Sequence, residues 1–149
     1  MIRPEVRTAT LEDINNVAYL FDSYRVFYKQ PSDLTGARNF LKDRIKHNES
    51  VILIAETEQK IVGFTQLYPL FSSVIMKPVY LLNDLYVHPE YRRMGMASAL
   101  IREAQNLVMK NRFAGLSLET ERSNTEGNSL YPKIGFSLDT IHNYYHWSP

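Results

Sequence analysis

The sequence contains no cysteine, and this absence excludes several kinds of chemistry at once. Disulfide bonds, thiolate metal sites and cysteine nucleophiles are all impossible. Histidine does not replace the missing metal ligands. His142 and His146 have the spacing of a chelating pair on a helix, but they lie in a β-prone aromatic segment. About 3.3 Å per residue in a strand would put them roughly 13 Å apart, so we expect no metal site.

Charge of one sign and long apolar runs are also missing. The formal net charge is +1, which favours neither nucleic acid nor an anionic membrane as a partner. No stretch approaches the roughly 20 apolar residues of a membrane span, and residues 1–14 show no apolar segment of the signal-peptide kind. We therefore expect a cytoplasmic protein that binds neither nucleic acid nor membrane.

The length and composition that are present suit one globular domain over residues 1–149. Strands and helices alternate without repeats or a linker, which predicts a mixed α/β fold. We expect strands at residues 6–9, 51–56, 61–68, 78–87 and 116–120, and one or two closing strands within residues 136–147. Helices are expected at residues 11–28, 37–46 and 124–134, and a long one is expected to open within residues 92–97 and to carry its apolar stripe as far as residue 108.

Three of these helices carry patterns that orient them. Thr10 and Asp13 have the spacing of a capping box before the first helix. Apolar residues at helical spacing predict the buried faces. They are Ile14, Val17, Ala18 and Phe21 in the first helix, Phe40, Leu41 and Ile45 in the second, and Met96, Ala97, Leu100, Ile101, Ala104, Leu107 and Val108 in the third.

The turn between the strand ending at Val87 and the third helix predicts a phosphate site. A helix start offers unpaired backbone N–H groups and the positive end of the helix dipole, and Arg92 and Arg93 add charge. Gly95 and the small Ala97 let the backbone approach a pyrophosphate closely. A complete nucleotide-binding glycine loop is absent from the sequence.

Two blocks of the sequence carry a specific pattern when they are taken together. Arg92-x-x-Gly95-x-Ala97 follows a strand, and residues 124–136 contain Asn124, a Leu-Tyr pair ending at Tyr131, and Gly135-Phe136. This combination resembles the GCN5-related N-acetyltransferase (GNAT) family, and the flanking elements occur in the family's order along essentially the whole chain. Residues 21–33 are also similar to its subgroup of histone and polyamine acetyltransferase-like proteins.

The resemblance implies a single-domain fold with a central, mostly antiparallel twisted sheet of about six or seven strands flanked by about four helices. It also implies acetyl-CoA as co-substrate and direct transfer of the acetyl group to a primary amine in a ternary complex. The cofactor-binding residues that it implies are Leu85, Tyr86, Val87, Arg92, Arg93, Met94, Gly95, Met96, Ala97, Ser98, Asn124 and Asn128. For Asn124, capping of its own helix is an alternative role.

Acyl transfer from a thioester to an amine needs a proton acceptor and a proton donor. Tyr131 matches the family's tyrosine that donates to the leaving sulfur, with packing between helix and sheet as the alternative. Relatives often carry a glutamate where this chain has Asn83, which cannot accept a proton. Asp84 is either a base that acts through a water or a buried carboxylate that accepts backbone hydrogen bonds. Glu119, expected on the next strand, is the second candidate base.

The acceptor amine is the least defined part of the function. Tyr24, Arg25, Tyr28 and Asn83 are the predicted substrate-binding residues. Aromatic faces near Asp33 suit a cationic amine, whereas Arg25 argues against a polycationic one. Packing of the aromatics between helix and sheet is the alternative. Small-molecule amines and protein or peptide amines both stay open as substrates.

Two further alternatives stay open. The aromatic residues 141–147 predict either a homodimer contact or core packing. A non-catalytic acyl-CoA-binding sensor or assembly module is the alternative function. The amide at Asn83, which cannot accept a proton, favours that alternative, whereas the presence of Tyr131 as a proton donor argues against it.

Overall fold

The computed structural model describes residues 3–149, which divide into two compact units, the first ending at Glu119 and the second being Thr120–Pro149. The single domain expected from the sequence stays a prediction. The first unit contains β1 (Glu5–Thr8), α1 (Ile14–Phe27), α2 (Leu34–Lys46), β2 (Val51–Thr57), β3 (Lys60–Ser72), β4 (Lys77–Val87), α3 (Met96–Lys110) and β5 (Leu116–Ser117). The second unit contains α4 (Thr125–Lys133).

The sheet confirms the expected mixed α/β class. Its strand order is β1-β2-β3-β4-β5, with three antiparallel pairings and a parallel pairing between β4 and β5. It is therefore mostly antiparallel, as predicted, but it has five strands within residues 3–149 rather than six or seven. β5 is also shorter than expected, because it ends at Ser117 rather than at residue 120.

The closing strands predicted within residues 136–147 are wrong, since this stretch contains no strand. The prediction relied on β-prone aromatic residues. Strand propensity reflects packing against a neighbouring strand more than an intrinsic backbone preference, so it does not form a strand alone. Five large apolar side chains of the C-terminal tail are each at least 77% exposed: Leu138, Ile141, Tyr144, Tyr145 and Trp147.

The first unit packs helices on both faces of its sheet. On one face, α1 and α2 bury Ile52, Ile54 and Phe64 together with the predicted α1 stripe of Ile14, Val17, Ala18 and Phe21. Because side chains alternate along a strand, Leu53 and Ala55 point to the opposite face, where α3 contacts the sheet. There α3 buries Met96, Leu100, Ile101 and Ala104. The predicted inward face of α1 is confirmed. That of α3 is confirmed for these four residues, whereas Ala97, Leu107 and Val108 are half-buried.

The capping box before α1 is confirmed, and an arginine extends it. The Asp13 carboxylate accepts from the Thr10 backbone N–H at 2.8 Å, across a short 3-10 helix, Leu11–Asp13. Arg7 donates to both Asp13 and Glu56, at 2.8 Å each. These contacts lower the pKa of Asp13 to about 2 and join β1, β2 and the start of α1.

The start of α2 depends on a cap that the sequence pattern missed. Asp33 Oδ1 accepts from the Gly36 N–H at 2.9 Å, and the helix begins at Leu34 rather than at residue 37. A Cβ at position 36 would collide with the Asp33 carboxylate. On the same helix, Leu41 is buried as predicted, whereas Phe40 lies at the rim, 39% exposed, with its ring stacked 5.7 Å from that of Phe21.

Gly36→Ala is expected to leave the free energy of unfolding unchanged or lower, because the added methyl group displaces the Asp33 cap, whose loss costs roughly 0.5–2 kcal/mol. Helix propensity alone predicts a gain of about 1 kcal/mol. Chemical denaturation measures the difference. In an Asp33→Ala background the cap is already absent, so the same substitution should stabilise. A Gly36→Ala variant more stable than the parent would contradict this account.

Candidate active site

One edge of β4 is open over the second half of the strand. β5 pairs only with Tyr80 and Leu81, whereas β3 pairs with β4 as far as Val87. The N–H of His88 donates to Val62 in β3 at 2.8 Å. Because backbone groups alternate in direction along a strand, those of Leu85 and Val87 point away from β3, toward the open edge. The backbone groups of Tyr86 face β3.

The turn after β4 ends in an uncapped helix start. Gly95 precedes α3 with a φ of 82°, in the left-handed region that glycine adopts without strain. The first helical hydrogen bond runs from the Ala99 N–H to the Gly95 carbonyl, at 2.9 Å. The N–H groups of Met96, Ala97 and Ser98 therefore lie outside the helix's own bonds. A Cβ on Gly95 would meet nothing within 4 Å, so the space in front of the turn is open.

The two arginines of the turn have different environments. Arg92 Nε donates to the Val87 carbonyl at 2.9 Å, and its guanidinium lies 5.4 Å from the centre of the Tyr86 ring. This contact fixes Arg92 beside the open edge of β4. Arg93 is exposed and has a φ of 60°, which contributes to the tight bend before Gly95. Positive charge thus accompanies the strand edge and the helix start at the same end of the unit.

A bulge in β4 brings two consecutive polar residues to one cavity. Gln66 pairs with Asp84, but Leu67 pairs with Leu82, so Asn83 is the extra residue. On a regular strand neighbouring side chains point to opposite faces, and a bulge breaks that alternation. Asn83 and Asp84 consequently line the same cavity, of about 510 Å³. Nearly all the rest of its wall comes from α1, α2 and the segment between them, namely Phe21, Tyr24, Arg25, Tyr28, Gln30, Asp33, Gly36, Ala37 and Phe40, with Tyr68 from β3.

Asp84 is buried on β4 and is held by side-chain donors. Gln66 Nε2 donates to Oδ2 at 2.6 Å, and Asn83 Nδ2 donates to Oδ1 at 3.0 Å. Burial raises the pKa of Asp84 above the usual aspartate range, while these two amides and the Tyr24 hydroxyl act in the opposite direction. The carboxyl is therefore suited to taking up a proton closer to neutral pH than an exposed aspartate would be.

The charge of Asp84 also affects the pKa values of two tyrosines in the wall of the cavity. Burial, and then the charge of Asp84, raise the pKa of the Tyr24 hydroxyl. The same two causes raise the pKa of Tyr68 to about 12. The Tyr24 hydroxyl donates to the Asn83 carbonyl at 3.2 Å. Both hydroxyls stay protonated near neutral pH, so they can donate hydrogen bonds but cannot act as bases.

The charged residues at the outer part of the cavity are tied into local structure. Arg25 Nη1 donates to the Pro31 carbonyl at 3.2 Å and lies 3.6 Å from the Asp22 carboxylate. Asp33 caps α2. The four predicted substrate-binding residues, Tyr24, Arg25, Tyr28 and Asn83, thus line one cavity with Asp84.

In the second unit, both predicted asparagines make bonds within their own loop and helix. Asn124 Oδ1 caps α4 by accepting from the Gly127 N–H at 3.1 Å, and its Nδ2 donates to Thr120 at 2.8 Å. Asn128 Nδ2 donates to the carbonyls of Asn124, at 2.7 Å, and Glu121, at 3.0 Å. Asn124 therefore caps its own helix, which is the alternative role that the sequence allowed. Asn128 holds the loop before the helix in place.

Tyr131 lies in the last turn of α4, which ends in a Schellman motif. The Phe136 N–H donates to the Tyr131 carbonyl at 3.0 Å, and the N–H of Gly135, whose φ is 95°, donates to Pro132 at 3.2 Å. The rings of Tyr131 and Phe136 lie 5.9 Å apart, which is the apolar contact that accompanies this motif. Pro132 falls in the same turn of α4 and does not prevent the helix from reaching Lys133.

Comparison with known proteins identifies this arrangement. Residues 16–136 match the model of the Acetyltransferase (GNAT) family. The chain belongs to the GNAT family. The uncharacterized N-acetyltransferase YhfO of Bacillus subtilis is 47% identical over 135 residues, 91% of each chain. A probable acetyltransferase of Haemophilus influenzae is 32% identical over 76% of this chain and 82% of its own.

Solved GNAT structures agree with the fold. The crystal structure of a probable acetyltransferase superposes with a TM-score of 0.92 at 35% identity, covering 97% of both chains. A ribosomal-protein-alanine N-acetyltransferase from Brucella melitensis has the same fold, with a TM-score of 0.80 at 23% identity over 98% of this chain and all of its own. Together with the relatives above, these findings make the chain an N-acetyltransferase, which transfers acetyl groups to amines.

Glu119 does not occupy the position that the sequence suggested for it in this GNAT chain. It lies beyond the end of β5 and is exposed, so its expected location on a strand is wrong. Residues that the sequence reading missed are Gln66 and Tyr68, both on β3 and near Asp84. One feature of the sequence could have indicated Gln66, because it is a polar residue in a mostly apolar stretch of strand.

Two general properties complete the description of this GNAT chain. Within residues 3–149, none of the helices has both the length and the apolar character needed to cross a membrane. The same residues contain no group of three or more histidine, aspartate or glutamate side chains placed to hold a metal ion.

Asp84→Asn is expected to gain Tm relative to the parent chain as pH rises and to lose that relative gain on acidification. The pKa of Asp84 is higher in the folded than in the unfolded state, so protonation of Asp84 stabilises the fold. This contribution is fully present at low pH and is lost as pH rises through the folded pKa. Thermal unfolding across pH measures this dependence.

Asp22→Asn is the control of opposite sign. Hydrogen bonds from Ser32 and the Asp33 N–H lower the pKa of Asp22, so its charge stabilises the fold above its unfolded pKa. This variant should lower Tm at neutral pH, and the loss should fade in acid. If the Tm difference between Asp84→Asn and the parent changed with pH in the same direction as that of Asp22→Asn, our assignment of Asp84 as a destabilising buried charge would fail.

Proposed function

We propose that the chain uses acetyl-CoA as co-substrate, as GNAT enzymes generally do, and binds it along the open edge of β4 and the start of α3. The observation that carries the proposal is the uncapped helix start at Gly95 beside that edge. The N–H groups at Met94–Ser98 would hold the pyrophosphate, with Arg92 and Arg93 adding charge. Leu85 and Val87 would bind the pantetheine arm as an added strand does.

The residues present fit this co-substrate. Gly95 places no side chain of its own at the helix start, a Cβ there would meet nothing within 4 Å, and a left-handed φ keeps the turn tight. The Val87 carbonyl already accepts from Arg92, so its N–H is the group left for a ligand oxygen. Tyr86 contributes no backbone group at that edge, and its ring supports Arg92 instead. Asn124 and Asn128 would act by fixing the loop before α4.

When bound, acetyl-CoA supplies an activated acetyl thioester. Direct attack by the amine in a ternary complex is the proposed route, because the chain has no cysteine to carry the acyl group. Asp84 would accept the amine's proton through a water, and the raised pKa of its carboxyl suits that task. Tyr131 would donate a proton to the departing thiolate, a role that rests on its place in the family's second block. Glu119 remains the second candidate base.

The acceptor amine is proposed to enter the cavity lined by Tyr24, Arg25, Tyr28 and Asn83. Its volume of about 510 Å³ falls in the usual range of small-molecule sites, roughly 300–1,000 Å³. Aromatic rings and the Asp84 carboxylate suit a single ammonium group on a compact body. Relatives named for streptothricin and ribosomal-protein alanine acetylation, and a solved structure of the same fold named for aminoglycosides, cover small molecules and a protein, so both classes belong in the screen.

A cytoplasmic location and a homodimer stay predictions. The support for the homodimer is the exposure of the C-terminal tail, whose five large apolar side chains have little burial in the chain itself. The non-catalytic sensor has no support among the relatives, which carry the names of acetyltransferases.

Gly95→Ala is expected to weaken acetyl-CoA binding about tenfold, since a non-glycine residue at this φ costs roughly 1–2 kcal/mol and rotates the N–H groups out of line. Isothermal titration with acetyl-CoA measures Kd. Gly115→Ala is the matched control, because its Cβ also meets nothing within 4 Å and its φ is not left-handed. An unchanged Kd in Gly95→Ala would refute the proposed pyrophosphate site.

Tyr131→Phe is expected to lower kcat by about 100-fold or more, with little change in KM for acetyl-CoA, because only the proton donor is removed. The ring contact with Phe136 is kept, so α4 should retain its end. The assay is CoA release with the best amine from a panel of small-molecule amines and peptides. Tyr145→Phe, in the exposed tail, is the control. Normal turnover in Tyr131→Phe would show that another group protonates the thiolate.

A further inference from the structure

Gln66 is a completely buried polar side chain that packs directly against Asp84. It lies on β3, pairs in register with Asp84, and has no exposed surface. Burying an amide without partners is costly, so its bonds identify what it does. They are the Ser50 hydroxyl, which donates to Oε1 at 2.8 Å, and the Asp84 carboxylate, which accepts from Nε2 at 2.6 Å.

These two partners fix the amide in one orientation. An ionised carboxylate can only accept hydrogen bonds, so Gln66 must turn its NH₂ group toward Asp84. The opposite end then presents Oε1 to Ser50, whose hydroxyl donates to it. Ser50 is half-buried just before β2, so this contact links the charged site to the surface of the unit.

The two oxygens of Asp84 are thereby made unequal. Oδ2 is bound to the buried Gln66, whereas Oδ1 is bound to the exposed Asn83, which lines the cavity. The Thr65 hydroxyl donates to the Asp84 backbone carbonyl at 2.7 Å and holds the main chain at the same point. Oδ1 is therefore the oxygen whose amide partner lies on the cavity wall, and its longer bond leaves it the less tightly held of the two.

Of the hydrogen bonds that lower the pKa of Asp84, the one from Gln66 has the largest effect, followed by those from Asn83 and the Tyr24 hydroxyl. From α1, the Tyr24 hydroxyl faces Asp84, and Arg25, beside Tyr28, is paired with Asp22. From the start of α2, Asp33 is committed to its cap, and from β3, Tyr68 is neutral near pH 7. Of the described residues, Gln66 therefore makes the shortest side-chain bond that the structure gives to the carboxylate.

We propose that Gln66, whose Oε1 accepts from Ser50, is a positioning residue that favours the charged form of Asp84 and directs its Oδ1 toward the acceptor cavity. The inference rests on the proposed role of Asp84 as base. In the proton step, an N–H bond of the acceptor ammonium breaks, the proton passes through a water, and an O–H bond forms at Oδ1. The freed electron pair stays on the amine nitrogen, which becomes the nucleophile.

Gln66→Met tests the proposal, because methionine has a similar volume and no amide. Loss of one charge-assisted hydrogen bond should raise the pKa of Asp84 by about one to two units, measured by carbon NMR of the carboxyl with Asp84→Asn to assign the signal. The acid limb of the pH profile of kcat/KM for the amine should shift upward equally. Thr57→Val, a buried polar change elsewhere in the sheet, should shift neither.

The outcomes separate this proposal from the proposed function. If the carboxyl titration and the acid limb shift together, both stand. If only the titration shifts, Gln66 positions Asp84 but Asp84 is not the base. An unchanged titration in Gln66→Met overturns the inference whatever the activity. Should Gln66→Met not fold, Ser50→Ala frees the amide and should give a smaller rise in the pKa of Asp84, whose absence would overturn the inference equally.

Discussion

The pairing of β4 is the constraint on which the rest of the first unit depends. One edge of the strand is bonded to β3 as far as Val87, whereas the other edge is released after Leu81, where the pairing with β5 ends. Backbone groups are rarely buried without partners, so this stretch needs partners other than a strand, and Arg92 already serves the Val87 carbonyl. The chain then turns tightly and starts α3 at the same end. A strand edge and a helix start, both short of hydrogen-bond partners, are thereby brought side by side.

The elements that could be predicted from the sequence are those determined by local chemistry. The capping box at Thr10, the apolar stripes of α1 and α3, and the helix bounded by Asn124 and Gly135 all depend on residues a few positions apart. The GNAT pattern lies within such local blocks, which explains why the family could be recognised before the structure. The Asp33 cap was missed because glycine in the first turn weakened the helix signal, although Gly36 is what that cap requires.

The elements that could not be predicted depend on partners distant in the chain. The tail has the composition of a strand, but composition does not supply an edge to pair with, and no strand forms there. β5 ends after two residues for the same kind of reason, and Glu119 is left outside it. The contact between Gln66 and Asp84 requires the register of β3 against β4, and a shift of one residue would have sent the two side chains to different neighbours.

The bulge at Asn83 is also relevant to the glutamate that relatives often carry at this position and that this chain lacks. A carboxylate one position along a regular strand would point to the opposite face and could not take over the function of its neighbour. The extra residue in β4 removes that restriction, since Asn83 and Asp84 line one cavity and bond to each other at 3.0 Å. The amide that replaces the glutamate then becomes a donor to Asp84, and Gln66 supplies a second donor from the buried side. Two neutral amides can hold a buried carboxylate in its charged form without a permanent cation, which would attract the carboxylate more strongly and lower its basicity. A base in this cavity therefore depends on the amides as much as on the aspartate.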